Sequence, residues 1–147
     1  MKTAADEFDP CPSPDGRFVA FVSDATDRWD IHVMEIATGK RWIVSNESGY
    51  DPTWTRDGSR ITYRTNQEVL RAVAVRTEGT FSAGSSEIAA QTDPSRHARE
   101  YDVSRDSKRV LIGTADIYGG NSAKETRPRV SVVLNWFEEL ERQVPTP

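Results

Sequence analysis

One turn, met three times, constrains this chain more than any other feature. It reads Ser13-Pro14-Asp15-Gly16-Arg17 ahead of Phe18-Val19-Ala20-Phe21. It returns as Thr55-Arg56-Asp57-Gly58-Ser59-Arg60 ahead of Ile61-Thr62-Tyr63. A worn third copy reads Ser104-Arg105-Asp106-Ser107-Lys108-Arg109 ahead of Val110-Leu111-Ile112. The copies are introduced by Asp9-Pro10, Asp51-Pro52 and Glu100-Tyr101, and the turn aspartates Asp15, Asp57 and Asp106 stand 42 and 49 residues apart. Repeats of roughly 40 to 50 residues, each holding several strands, are the mark of blades stacked around a hub.

The turn chemistry fits a short hairpin. Pro14 fixes φ, Asp15 can bond the local backbone, and Gly16 supplies a positive φ; Asp57-Gly58 repeats this. Ser107 replaces the glycine in the third copy, so that turn must be strained or differently shaped. The following strands are apolar on both faces: Phe18, Ala20 and Val22 oppose Val19 and Phe21, and Val130, Val132 and Leu134 oppose Val133. In 69–75 only Arg71 interrupts. A sheet with one wet face alternates apolar with polar. A two-sheet sandwich buries one face per sheet, whereas stacked blades bury both, and the period favours blades.

The chain therefore reads as all-β: a partial β-propeller of about three antiparallel four-stranded blades, the last incomplete, with a short C-terminal helix. Blade one covers about 9–46, blade two about 51–91 and blade three about 100–135. The helix is expected over about 135–143, with Asn135 and Glu138 as a capping pair, Glu138 and Arg142 at i,i+4, and Pro145 as its stop. The stretch 115–128, polar and carrying Gly119-Gly120, reads as the longest irregular loop.

Composition removes several functions. The chain has 147 residues, 19 basic against 23 acidic, so no global positive field exists to hold nucleic acid. A single cysteine excludes an internal disulfide framework and a cysteine zinc cage. No apolar run approaches the ~20 residues needed to span a bilayer. Residues 1–10 are polar and acidic and do not read as a signal peptide.

These residues resemble the WD40-like, or TolB-like, β-propeller repeats of bacteria, called PD40 after their Pro-Asp turn. The likeness is carried by Ser13-Pro14-Asp15-Gly16-Arg17 and Asp30-Ile31-His32-Val33-Met34, then by Ala72-Val73-Ala74-Val75 and Gly79-Thr80-Phe81-Ser82-Ala83-Gly84. The ending, Tyr101-Asp102-Val103-Ser104 with Val132-Val133-Leu134-Asn135-Trp136, resembles the closing segment of propellers attached to bacterial serine/threonine kinases and winged-helix regulators. The resemblance implies a fold and a role in binding, not a reaction. It also implies a periplasmic or otherwise extracytoplasmic setting, against which the missing export signal leaves the cytoplasm open. Such propellers usually have six or more blades, against three here, and blade three is expected to lack its outer strand.

Three blades leave two faces open. Each would expose several hundred Å² of apolar surface, and at roughly 25 cal/mol/Å² the stabilisation lost is on the order of 10 kcal/mol per face. Two partners fit: a second copy that closes a six-bladed ring with twofold symmetry, or further blades of a longer chain.

Candidate chemistry is sparse. No Gly-x-Ser-x-Gly is present, and Gly84-Ser85-Ser86 reads as a loop with no neighbouring base. His32 lies mid-strand and reads as a packed histidine; His97 lies 65 positions on, which gives no metal-ligand spacing. Asp24, Asp27 and Asp30 resemble a fragment of a calcium loop without its central glycine and terminal glutamate, and read as a polar hairpin. Arg96, Arg99, Arg105, Lys108 and Arg109 form one basic cluster that could meet an acidic peptide or an anionic sugar, or simply be solvated. Neither a cofactor nor a metal is expected, and no catalytic residue is assigned. The expected function is recognition of a protein, peptide or small ligand at the channel mouth, which is built from 24–29, 47–50, 64–68, 93–99 and 116–127. Arg28, Tyr50, Arg64, His97 and Tyr118 are the side chains expected to meet it. The alternative is a fragment of a propeller-containing hydrolase or lyase, such as a prolyl-class oligopeptidase or an oligogalacturonate lyase, whose catalytic residues lie elsewhere.

Overall fold

A computed structural model describes residues 5–67, 69–91, 96–104, 109–116 and 129–134. The first sheet holds β1 (Glu7–Pro12), β2 (Phe18–Ser23), β3 (Asp30–Glu35) and β4 (Arg41–Ile43). The second holds β5 (Tyr50–Trp54), β6 (Arg60–Arg64), β7 (Val69–Arg76) and β8 (Ser82–Gln91). The third holds β9 (Arg96–Val103), β10 (Arg109–Asp116) and β11 (Arg129–Leu134). Every sheet is an antiparallel meander in which neighbours in sequence are neighbours in space. The described residues form a partial β-propeller of three blades. The helix expected over 135–143 lies outside them.

The recurring turn closes each blade's first hairpin by one device. A hydroxyl five residues before the second strand accepts that strand's first amide. Phe18 N–H donates to Ser13 Oγ at 3.0 Å, Arg60 N–H to Thr55 Oγ1 at 3.0 Å, and Arg109 N–H to Ser104 Oγ at 3.0 Å. In the first two turns the aspartate then takes the hydroxyl proton and a backbone amide. Asp15 Oδ1 accepts from Ser13 and Arg17, and Asp57 Oδ1 from Thr55 and Ser59. These bonds hold both carboxyls below the ordinary carboxylate range; at Asp57 they outweigh burial, which pushes the other way. Gly16 and Gly58 both sit at φ 70°, as the turn requires.

Blade one packs on blade two through Phe18, Ala20, Val22, Ile31 and Val33 against Trp54, Ile61, Tyr63, Val73 and Val75, all buried. Phe81, from the far end of blade two, enters between Phe18 and Trp42, with ring centroids 5.4 and 5.0 Å apart. Gly49, on the link between these blades, has no room for a side chain: an added Cβ would meet Ile31 Cγ1 at 2.7 Å and Tyr63 Cδ2 at 2.9 Å. Blade two turns its other face, with Leu70, Ala72 and Ala89, to Val110 and Ile112 of blade three. Both faces of the middle sheet are thus covered, as double-sided apolar patterning requires.

The outer face of blade one is only partly greasy. The Glu7–Arg41 ion pair joins β1 to β4 across it, and the guanidinium lies 5.4 Å from the Phe21 ring. Phe21 and His32 are both 5% exposed beneath it.

Candidate functional site

The inner strands β1 and β5 carry the same dipeptide at the same place in their blades. Asp9-Pro10 and Asp51-Pro52 each form a β-bulge, so that register with the second strand slips between Phe8 and Cys11 and between Tyr50 and Thr53. Asp9 has φ 51° and Asp51 φ 54°, left-handed values that non-glycine residues adopt at a cost. Aspartate tolerates this region better than most residues, and the proline that follows fixes the exit. β1 packs beside β5, and the Asp51 carboxylate is close enough for its charge to act on Asp9. Burial first, then the neighbouring Asp51 carboxylate, push Asp9 above its ordinary value, against the opposing pull of Arg64.

Arg64, at the end of β6, closes on this pair. Its Nε donates to Asp51 Oδ2 at 3.0 Å and its Nη2 lies 2.8 Å from the same oxygen. The guanidinium carbon stands 6.0 Å from the centre of the Tyr50 ring. From blade three, Tyr101 donates its hydroxyl to the Asp51 carbonyl at 2.5 Å, and burial drives that hydroxyl well above the ordinary tyrosine value. A matching tie runs from blade two to blade one, where Trp54 Nε1 donates to the Cys11 carbonyl at 3.1 Å. This end of the inner strands therefore gathers two aspartates, one arginine and one aromatic ring, with ties running between the blades.

Tyr50 and Arg64, both expected from sequence, are brought together here. Arg28 is elsewhere and committed: its Nε and Nη2 donate to the two carboxylate oxygens of Asp30 at 3.0 and 3.1 Å. Asp30 is 1% exposed and also accepts from Thr26 at 2.6 Å and Ser45 at 2.9 Å. Burial pushes Asp30 up, but these four bonds outweigh it and hold the carboxyl below its ordinary value. The aspartate triplet is thereby split: Asp24 accepts from the Asp6 amide, Asp27 takes φ 61° in the turn, and Asp30 serves Arg28. His97 lies on β9 opposite Ala115. Tyr118 lies outside the described residues.

Asp9 and Asp51 were missed in the search for chemistry because the pair exists only across two strands 42 positions apart. Their repeated Asp-Pro was visible, and a bulge at each was the signal that could have found them. At the opposite end of the blades, a cleft of about 290 Å³ lies between the recurring turns, lined by Ser13, Pro14, Asp15, Asp57, Gly58 and Thr77.

No family model matches the chain. It is similar in structure to an oligogalacturonate lyase of Vibrio parahaemolyticus, with TM-score 0.69 and 13% identity over 91% of this chain and 39% of that one. It is also similar to a TolB-type protein of Agrobacterium tumefaciens, with TM-score 0.63 and 19% identity over 92% of this chain and 48% of the other. An acylaminoacyl peptidase of Pyrococcus horikoshii gives TM-score 0.61 and 14% identity over 92% of this chain and 24% of the peptidase. The shared feature is a TolB-like propeller fold, found in enzymes and in a TolB protein alike. The chain spans less than half the length of each of these structures.

Proposed function

We propose that this chain is a non-enzymatic propeller module that recognises a protein, a peptide or a small ligand at the mouth formed by β1, β5 and the end of β6. The observation that carries the reading is the Arg64–Asp51 ion pair beside the Tyr50 ring, set at two left-handed bulges. Asp9 and Asp51 sit at two left-handed bulges, a backbone conformation that costs stability, and the Asp9 carboxyl is raised there. Backbone strain and perturbed carboxyls gather where a surface is kept for recognition. Tyr50 and Arg64 add an aromatic face and a cation at the same place. The PD40 resemblance adds a context: the sensor or scaffold portion of a larger protein carrying a kinase or a winged helix.

The test is a peptide-library selection on the wild-type chain, followed by titration of the selected peptides against Tyr50→Ala, Arg64→Ala, His97→Ala and Tyr118→Ala. Tyr50→Ala and Arg64→Ala are expected to weaken binding at least tenfold. Arg28→Ala is read beside a melting curve, because that guanidinium also serves Asp30. Selected peptides that bind every variant equally would overturn the placement.

A second reading rests on the enzymes among the structural neighbours: the chain is a fragment of a propeller-containing lyase or hydrolase. Turnover of oligogalacturonate or peptide substrates by this chain alone would favour it over the first.

A further inference from the structure

Two further aromatic rings border the place where Asp9, Tyr50 and Arg64 gather. Phe8, next to Asp9, stands edge-on to Trp29, with ring centroids 5.1 Å apart and planes at 64°. Trp29 ends the 24–29 hairpin, and its carbonyl accepts from Gly49 N–H at 2.9 Å, which ties the hairpin to the residue before Tyr50. Asp6 N–H donates to Asp24 Oδ1 at 2.9 Å and draws the start of β1 onto the same hairpin. Phe8 is 38% exposed, and Trp29 and Tyr50 are half-buried.

That exposure lies on the inner side of blade one. Phe8 pairs with Val22, which is 0% exposed and belongs to the cluster shared with blade two, and cross-strand partners lie on one face. Trp29 packs on that same cluster. What adjoins blade one on its other side therefore does not decide whether these rings are covered.

Charge selects what they meet. The cations nearby are committed: Arg28 to Asp30, Arg64 to Asp51 and Arg71 to Glu47. Asp6, Asp9, Asp24 and Asp27 make no ion pair with another described residue. A carboxylate without a cation beside open aromatic rings is the chemistry that holds an ammonium or a guanidinium. The carboxylate supplies charge and an acceptor, and the ring supplies its negative face. Rings of this kind are also the side chains enriched at recognition surfaces. An acidic peptide would meet like charge here.

We propose that this end of blades one and two takes a basic peptide, seating a lysine or arginine side chain with its charge on the Asp9 carboxylate and its stem along the rings of Phe8 and Trp29. The inference rests on the proposed function for its place and adds the chemistry of the ligand.

The test titrates the full chain against two dye-labelled probes, N-acetylated hexalysine amide and N-acetylated hexaglutamate amide, by fluorescence anisotropy. Hexalysine is expected to bind and hexaglutamate is not. Asp9→Asn and Phe8→Ala are each expected to weaken hexalysine at least fivefold. Phe8→Ala separates a built seat from a general acidic field, because it leaves every charge in place. Glu78→Gln, which removes one charge from the turn between β7 and β8, is expected to leave binding unchanged. Circular dichroism checks that each variant is folded, and Phe8→Leu, which keeps an apolar contact on Trp29 and loses the ring, is the milder variant should the alanine unfold the chain. Hexalysine that does not bind, or that binds Asp9→Asn and the Phe8 variant as tightly as wild type, would overturn this inference and leave the placement of the mouth standing. Library-selected peptides indifferent to Tyr50→Ala and Arg64→Ala would overturn that placement itself.

Discussion

Gly49 and Asp9 show how single residues set the terms at this fold's seams. Gly49 lies in the link between blades with Ile31 and Tyr63 against its Cα, so a methyl group has nowhere to go. Gly49→Ala is expected to destabilise by about 1–3 kcal/mol, the usual result of overpacking, read as a lower urea midpoint with unchanged slope. Asp9 is the opposite case. Its folded value is raised above the unfolded one, so above that folded value the ionised pair with Asp51 destabilises the fold, and the loss is recovered as pH falls through it. Asp9→Asn keeps a side chain that tolerates the left-handed backbone and removes the repulsion. Its melting temperature is expected to exceed wild type at pH 7, with the difference shrinking towards pH 4. A variant that melts lower at neutral pH would refute this account of the pair.

At the scale of elements, the hairpin turns were legible in advance, and the mouth was not. Asp15-Gly16 and Asp57-Gly58 announce their geometry locally, because a positive φ and an aspartate bond are settled within four residues. The hydroxyl of Ser13, Thr55 and Ser104 was the less obvious half of the motif, and it survives in the third blade, where the glycine is gone. Thr55→Val keeps the shape and loses the bonds to Arg60 and Asp57 at a 1% exposed site. It is expected to cost about 1–3 kcal/mol, measured by chemical denaturation, because the part-buried Arg60 amide loses its acceptor. Tyr50 and Arg64 were chosen for lying in loops at the right end, and they do meet. Arg28 was chosen on the same ground, but loop position says nothing of a buried carboxylate two residues away. The repeated Asp-Pro of Asp9 and Asp51 is a local pattern, but that the two lie side by side is set by how two sheets stack. Trp42, on a three-residue outer strand, is met by Phe18 from its own blade and Phe81 from the neighbouring one, which no pattern local to 41–43 announces.

For the whole molecule, the two seams differ. Blade one and blade two share a large buried cluster with three aromatic rings at its outer end, whereas blade two and blade three meet through a smaller set built on Leu70, Ala72, Ala89, Val110 and Ile112. Hydrogen exchange is expected to be slowest in β2, β3, β6 and β7 and faster in β10, with blade three opening as a separate unit. Equal protection across β2, β6 and β10 would contradict this. Acid acts on the first two blades together. Asp15, Asp30 and Asp57 all have folded values below their unfolded ones, so their support is complete above the unfolded value and is lost as pH falls through the folded ones. Melting temperature is expected to fall steeply below about pH 4. Replacing all three by asparagine should flatten that decline.

The rim has a consequence of its own. β4 is three residues long, and the long outer strand β8 is broken by two register shifts against β7. Neither offers the straight, continuous ladder that templates fibril growth. With straight sideways extension blocked at these two edges, the two outer strands are poor templates for amyloid-like threads.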